Sequence, residues 1–233
     1  MSDKACAAGP VRRICLVGAS GLVGQAVLAE AVGRQDLRII AVARGEVPMP
    51  DGARMDVLTG SLESWPELIA AARADVLVCA LGTTFAKAGS QEAFRAVDRD
   101  LVVDCAQAAR SAGIDHMIVV SSVGAERGSR NFYLSVKGGM EEALGKMAFR
   151  RLDILRPGLL RGHRAERRRL EGVGQVLAPL ADSLVLHGRW RRFRSIRARD
   201  LARVILGVAM EKAQGRFVAE HDNFRRVLQK IPA

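Results

Sequence analysis

Tyr133 and Lys137 stand four residues apart. On a helix a spacing of four puts two side chains on one face. A phenol alone is too weak an acid to trade protons near neutrality, and an ammonium one turn away favours its phenolate. Such a pair suits proton transfer to a carbonyl oxygen. Tyr133 is the only tyrosine in the chain, and a Tyr-x-x-x-Lys spacing also arises by chance, so its meaning depends on its setting.

That setting opens at Gly18-Ala19-Ser20-Gly21-Leu22-Val23-Gly24, between a short apolar run and an Ala/Val/Leu-rich segment. Glycines at i, i+3 and i+6 allow a tight turn, a close backbone approach to a pyrophosphate, and tight packing of helix on sheet. The pyrophosphate would lie at the positive end of the helix dipole. The next apolar run ends in Val42-Ala43-Arg44-Gly45, with no carboxylate until Glu46. An acid there binds the ribose hydroxyls of NAD, whereas the guanidinium of Arg44 pairs with a 2′-phosphate. The expected ligand is therefore NADP(H) in preference to NAD(H). His163, His187 and His221 are too scattered for a metal site, and no metal ligand set is expected.

The elements that must position these groups alternate. Strands are predicted at Arg12–Val17, Leu37–Ala43, Met55–Leu58, Asp75–Leu81, Asp115–Ser121 and Leu152–Leu155. Helices are predicted at Gly21–Gly33, Leu62–Ala72, Gln91–Ala112 and Asn131–Lys146. Short apolar strands alternating with helices specify an α/β fold, a doubly wound parallel sheet. From Leu160 onward the pattern weakens. A basic helix near Arg164–Gly172 and a helix at Asp200–Lys212, with Asp200 as N-cap, are the expected features there. One domain is expected, with residues 12–160 as the dinucleotide-binding core and 161–233 as a small C-terminal cap on the substrate side.

Composition agrees with this reading. The chain has 233 residues, 49% hydrophobic and only 4% aromatic, so its core must be aliphatic. Cys6, Cys15, Cys79 and Cys105 are widely separated and read as reduced thiols, and the opening MSDKACAAGPVRR lacks an apolar signal core. The expected compartment is the cytoplasm, and no membrane span is expected. The net charge of +11 invites a nucleic-acid reading. The basic excess gathers between Arg150 and Arg199, a stretch with no recognisable binding motif, so nucleic acid is not the expected partner. The Arg161, Arg164, Arg167, Arg168 and Arg169 run reads as a solvated face.

The glycine triplet, Ser121-Ser122 and Tyr133-x-x-x-Lys137 resemble the short-chain dehydrogenase/reductases, and Leu155-Arg156-Pro157-Gly158 looks like their extended and atypical branches. Cys79-Ala80-Leu81-Gly82-Thr83-Thr84, Lys87-Ala88-Gly89, Val97-Asp98-Arg99-Asp100 and Ser121-Ser122-x-Gly124-Ala125 look like the Tat-interactive-protein-like oxidoreductases. The resemblance runs from Arg12 to Gly162. It implies that Gly18, Ser20, Gly21, Leu22 and Val23 line the pyrophosphate, and that Leu81 and Gly82 lie toward the adenosine ribose. It further implies that Pro157 borders the cofactor and that Ser122, Tyr133 and Lys137 do the chemistry. Asp98 departs from the pattern: many relatives carry there an asparagine that supports a proton-relay water. The expected function is NADP(H)-dependent oxidation or reduction of a small alcohol or carbonyl, with a non-catalytic NADP(H) sensor as the alternative.

Overall fold

The computed structural model describes residues 11–53, 55–161 and 192–230. Six strands, β1 (Arg12–Val17), β2 (Leu37–Ala43), β3 (Met55–Thr59), β4 (Val76–Cys79), β5 (His116–Val120) and β6 (Arg151–Leu155), form the sheet, with helices between all consecutive pairs except β2 and β3. They pair in the order β3-β2-β1-β4-β5-β6, every pair parallel. This doubly wound order reverses direction between β1 and β4, so a crevice forms at the carboxyl ends of those two strands.

Side-chain alternation sorts the core into two layers. Ile14, Leu16, Ile39, Ala41, Val76, Val78 and Ile118 face one side of the sheet, where α1 (Leu22–Glu30) and α7 (Ala198–Ala209) cover them. Cys15, Val17, Ile40, Val42, Leu77, Met117 and Val119 face the other, under α2 (Trp65–Ala71), α5 (Leu101–Ser111) and α6 (Phe132–Gly145). Both faces are dry, which is why the strands read as unbroken apolar runs. Cys15, Cys79 and Cys105 are free and buried. Burial pushes the Cys15 thiol up to about 12 and that of Cys79 to about 11.

The tail adds to the sheet. Residues 215–219 form β9, which pairs in parallel with β6 as a seventh strand, and α8 (His221–Lys230) follows it. Arg199 of α7 reaches Glu30 of α1 at 2.6 Å, and Arg12 Nε donates to the carbonyl of Ala209. The region expected to be a cap thus supplies a strand and two helices of the layered core. A short ladder, β7 (Leu160–Arg161) with β8 (Ile196–Arg197), stands apart from the main sheet. The helix expected at Asp200–Lys212 starts earlier: Arg197 is its N-cap and Asp200 sits inside its first turn, where a carboxylate favours the helix dipole. The basic helix expected near Arg164–Gly172 lies outside the described residues.

Two local features bear on the site. The segment predicted as one helix from Gln91 to Ala112 is α4 (Gln91–Arg95), a π-helical turn (Ala96–Asp100) and α5 in succession. A one-turn helix, α3 (Phe85–Ala88), follows the β4 loop; Thr84 caps it by accepting from the Lys87 N–H, and Gly89 closes it at φ +78°. That left-handed conformation is one that glycine adopts without strain.

Candidate functional site

Gly18 leaves β1 at φ +86°, and a Cβ there would lie 2.6 Å from the carbonyl carbon of Ala80. Only glycine allows the first loop to lie against the β4 loop. Gly24 is tighter still, since its Cβ would fall 2.2 Å from the Gly18 oxygen, so the first turn of α1 presses on the loop itself. Gly21 donates to Gly18 O at 3.0 Å and stands as N-cap of α1 without a side-chain cap, and no acid occupies the first turn. Ser20 and Gly21 are exposed. A helix N-terminus with neither cap nor acid, beside a glycine turn that admits no side chain, fits an anion such as a pyrophosphate.

The neighbouring strand ends bring up the other expected groups. Arg44 is exposed directly after Ala43, the last residue of β2. Leu81 and Gly82 continue from β4 against Gly18, and a Cβ on Gly82 would meet the Asp98 carboxylate at 3.5 Å. Pro157 follows β6, and its carbonyl accepts from the Val123 N–H at 3.0 Å, which ties it to the Ser122 loop. Arg44, Gly18–Val23, Leu81, Gly82, Ser122 and Pro157 therefore belong to the carboxyl ends of β2, β1, β4, β5 and β6.

At the centre lies a buried ion pair. Asp98, on the π-helical turn, is 1% exposed, and its two oxygens meet Lys137 Nζ at 2.8 Å and the Thr83 N–H at 2.8 Å. Lys137 is itself buried within α6, and Asp98 is its only partner among the described residues. The π turn inserts a residue into the helical ladder, a device that recurs at functional sites. Here it carries Asp98 between the β4 loop and α6. Sequence reasoning treated Asp98 only as a departure from an asparagine pattern. The available signal was position, since Asp98 lies four residues from both buried Phe94 and buried Val102 and so interrupts an apolar stripe.

Tyr133 projects from α6 one turn before Lys137, is 40% exposed, and packs its ring on Phe94 at 5.7 Å between centroids. The capping oxygen of Asn131 accepts from the Leu134 N–H and fixes where that turn begins. The two adjacent serines divide. Ser121 is buried and donates to Glu141, which Arg156 grips at 2.6 and 3.0 Å, so this serine belongs to a structural network. Ser122 is half-buried, and its hydroxyl makes only a 3.4 Å contact with the Val123 carbonyl among the described residues. Sequence reasoning missed the ring contacts of Phe85, Phe94 and Phe132 beside Tyr133, as well as the Glu141–Arg156 clasp.

Residues 18–181 match the model of a protein family described as NAD(P)H-binding. The chain is 35% identical over 177 residues to the protein FMP52, mitochondrial, of Eremothecium gossypii, spanning 76% of this chain and 78% of that one. It is 32% identical over 207 residues to the Candida albicans protein of the same name, spanning 86% and 89%. Among solved structures, a putative NAD-dependent epimerase/dehydratase from Bacillus halodurans superposes with a TM-score of 0.67 at 22% identity, covering 94% of this chain and all of that one. The UDP-glucose 4-epimerase of Thermotoga maritima, solved with UDP-glucose, gives 0.67 at 14% identity over 93% and 81%. At such identities the structural likeness speaks for the parallel α/β fold alone. The relatives' names correct one expectation. They are mitochondrial proteins, which overturns the cytoplasmic placement drawn from reduced cysteines and the absence of a secretory signal. Both of those features are equally compatible with an organelle. No helix among the described residues is long and apolar enough to cross a membrane.

Proposed function

The chain belongs to the NAD(P)H-binding family, and from that premise we propose that it is an NADP(H)-dependent oxidoreductase of the short-chain dehydrogenase/reductase type, acting on a small carbonyl or alcohol. The observation that carries this reading is the buried Asp98–Lys137 pair, set between the β4 loop and α6 one turn from Tyr133. A buried ion pair adds little net stability over an apolar pair of the same shape. Its presence in a strand-end crevice favours a role toward a ligand.

The bound dinucleotide supplies the hydride. The chain's own residues do the rest. The N–H groups of Gly21 to Val23 receive the pyrophosphate, and Leu81 and Gly82 border the adenosine ribose. Arg44 pairs with the 2′-phosphate, which accounts for a preference for NADP(H). Lys137 has N–H donors beyond the one that meets Asp98, and these point to the nicotinamide ribose as its second partner. Ser122 holds the substrate oxygen, and Tyr133 passes it a proton. Asp98 fixes the ammonium between ribose and tyrosine, in place of the water relay that an asparagine supports. The finer likeness to the Tat-interactive-protein-like oxidoreductases rests on the Cys79–Thr84, Lys87–Gly89, Val97–Asp100 and Ser121–Ala125 motifs.

A second reading, a non-catalytic NADP(H) sensor, draws on one observation: Asp98 neutralises the ammonium that would assist Tyr133. One experiment separates the two. Purified protein is assayed with a carbonyl panel by NADPH absorbance, beside Tyr133→Phe. The oxidoreductase reading expects turnover in the parent and a loss of about 10²–10⁴ in the variant, with NADPH affinity little changed. NADPH binding without turnover on any carbonyl supports the sensor, and a Tyr133→Phe variant with full kcat removes Tyr133 from its role.

A further inference from the structure

Aromatic side chains are scarce in this chain: seven Phe, two Trp and one Tyr in 233 residues. Four of these ten form one continuous run. Tyr133 packs on Phe94 at 5.7 Å, Phe94 on Phe132 at 5.8 Å, and Phe132 on Phe85 at 6.4 Å in an edge-on geometry. The middle of the run is covered. Phe94 is buried, and the Arg95 guanidinium lies 5.8 Å from the centre of the Phe132 ring. The two ends are open, with Tyr133 40% and Phe85 54% exposed.

The outer end is held in place. Phe85 opens α3, whose first turn is capped by Thr84 and whose exit is fixed by the left-handed Gly89. Only Thr84 separates it from Leu81-Gly82-Thr83, the loop that lies against the glycine turn and meets Asp98. A lone exposed apolar residue calls for no explanation. A half-exposed phenyl ring on a capped turn, joined through two other rings to the proposed proton donor, does call for one.

We propose that Phe85 and the aromatic run behind it form the wall of a substrate subsite that takes a flat, unsaturated group, so that the preferred substrates are aryl aldehydes or ketones and the corresponding alcohols. The proposal rests on the oxidoreductase reading and names its substrate class. The carbonyl sits between Ser122 and Tyr133, and its aryl substituent lies against Phe85. Offset or edge-on contact between rings favours an aromatic substituent over a saturated one of equal size.

The test uses dead-end complexes, in which no hydride can move. Full-length protein saturated with NADPH is titrated calorimetrically with benzyl alcohol and with cyclohexylmethanol. Benzyl alcohol binds more tightly by about two- to tenfold, the range of a specific aromatic contact. In Phe85→Leu, which keeps an apolar side chain without a ring, the two affinities converge, while NADPH affinity serves as the control for folding. Equal affinities in the parent, no binding of either alcohol, or a preference that survives Phe85→Leu overturns the proposal. A parent that binds NADPH and prefers benzyl alcohol, yet reduces no aldehyde including benzaldehyde, supports the subsite and overturns the oxidoreductase reading. A parent that binds no NADPH overturns both.

Discussion

The two ends of the sheet both bury charge, and they do so differently. At the amino ends of β5 and β6, Arg151 clasps both oxygens of Asp153 at 2.6 and 2.9 Å, and His116 Nε2 meets the same carboxylate at 2.8 Å. Arg151 also donates to the Ala213 carbonyl and lies 4.4 Å above the centre of the Phe217 ring. Both carboxylate oxygens and all three guanidinium nitrogens are engaged by protein, and within this network His116 Nδ1 is left without a partner among the described residues. At the carboxyl ends, by contrast, Lys137 meets Asp98 alone, beside a helix N-terminus that has no cap. One network is closed on itself and ties β5, β6 and β9 together. The other retains donors, as a ligand site must. Burial alone therefore does not mark function; an ammonium with spare donors beside an uncapped helix N-terminus does.

Breaking the closed end should have the largest effect on stability and none on binding. Arg151→Met leaves Asp153 buried with less than its charge compensated, a loss of about 3–5 kcal/mol in urea unfolding. NADPH affinity of the folded fraction stays at the parent value. If affinity falls as steeply as stability, the two ends are not independent.

Lys137→Met tests the open end. It removes the ammonium assigned to the ribose, so NADPH affinity should drop by roughly 1.5–3 kcal/mol, the worth of a hydrogen bond to a charged group. It also strands Asp98. Adding Asp98→Leu should restore stability and leave the binding defect in place, measured by unfolding and calorimetry on the same two proteins. Recovery of binding in the double variant would assign Lys137 a purely structural role.

How far these ends were legible in the sequence follows from how each is buried. β1, β2 and β4 to β6 are dry on both faces, so they stood out as apolar runs. β9 is an edge strand exposed along nearly its whole length, and Gly215-Arg216-Phe217-Val218-Ala219 carries no periodic signal that a strand reading could use. The π turn was invisible because the extra residue leaves the surrounding helical periodicity almost intact on either side. The glycine loop was legible because its spacing reflects steric demands that only glycine meets. The pairing of Asp98 with Lys137 was not, since the two lie on different helices and only the fold brings them together. The closed Arg151–Asp153–His116 network was missed for the same reason.

Arg44 sharpens the comparison at the rim of the open end. It stands exposed at the carboxyl end of β2, where a 2′-phosphate would lie. Arg44→Ala should weaken NADPH more than NADH, by about 1.5 kcal/mol, the lower bound for a charge-assisted contact because the site is open to water. Equal weakening of both cofactors would make it an ordinary surface charge.

The smallest effect concerns the dry middle between the ends. Burial raises the Cys15 thiol from 9.0 to about 12 and the Cys79 thiol from 9.0 to about 11. The folded state therefore keeps protons that the unfolded state releases. The stability that this contributes is fully present below pH 9 and is lost as pH rises toward 11–12. By pH 10 each thiol should cost about 1.4 kcal/mol relative to pH 8, and Cys15→Ala should flatten the profile by that amount. An unchanged profile would mean that the thiol is not the group responsible.

The central claim is that the carboxyl end of the sheet is built to hold a dinucleotide, and calorimetric titration of the purified protein with NADPH and then NADH tests it most directly. The account predicts saturable binding of both with NADPH the tighter, and loss of that heat in Gly21→Asp, which sets a carboxylate where the pyrophosphate must lie. No heat and no thermal stabilisation with either cofactor at millimolar concentration would contradict it.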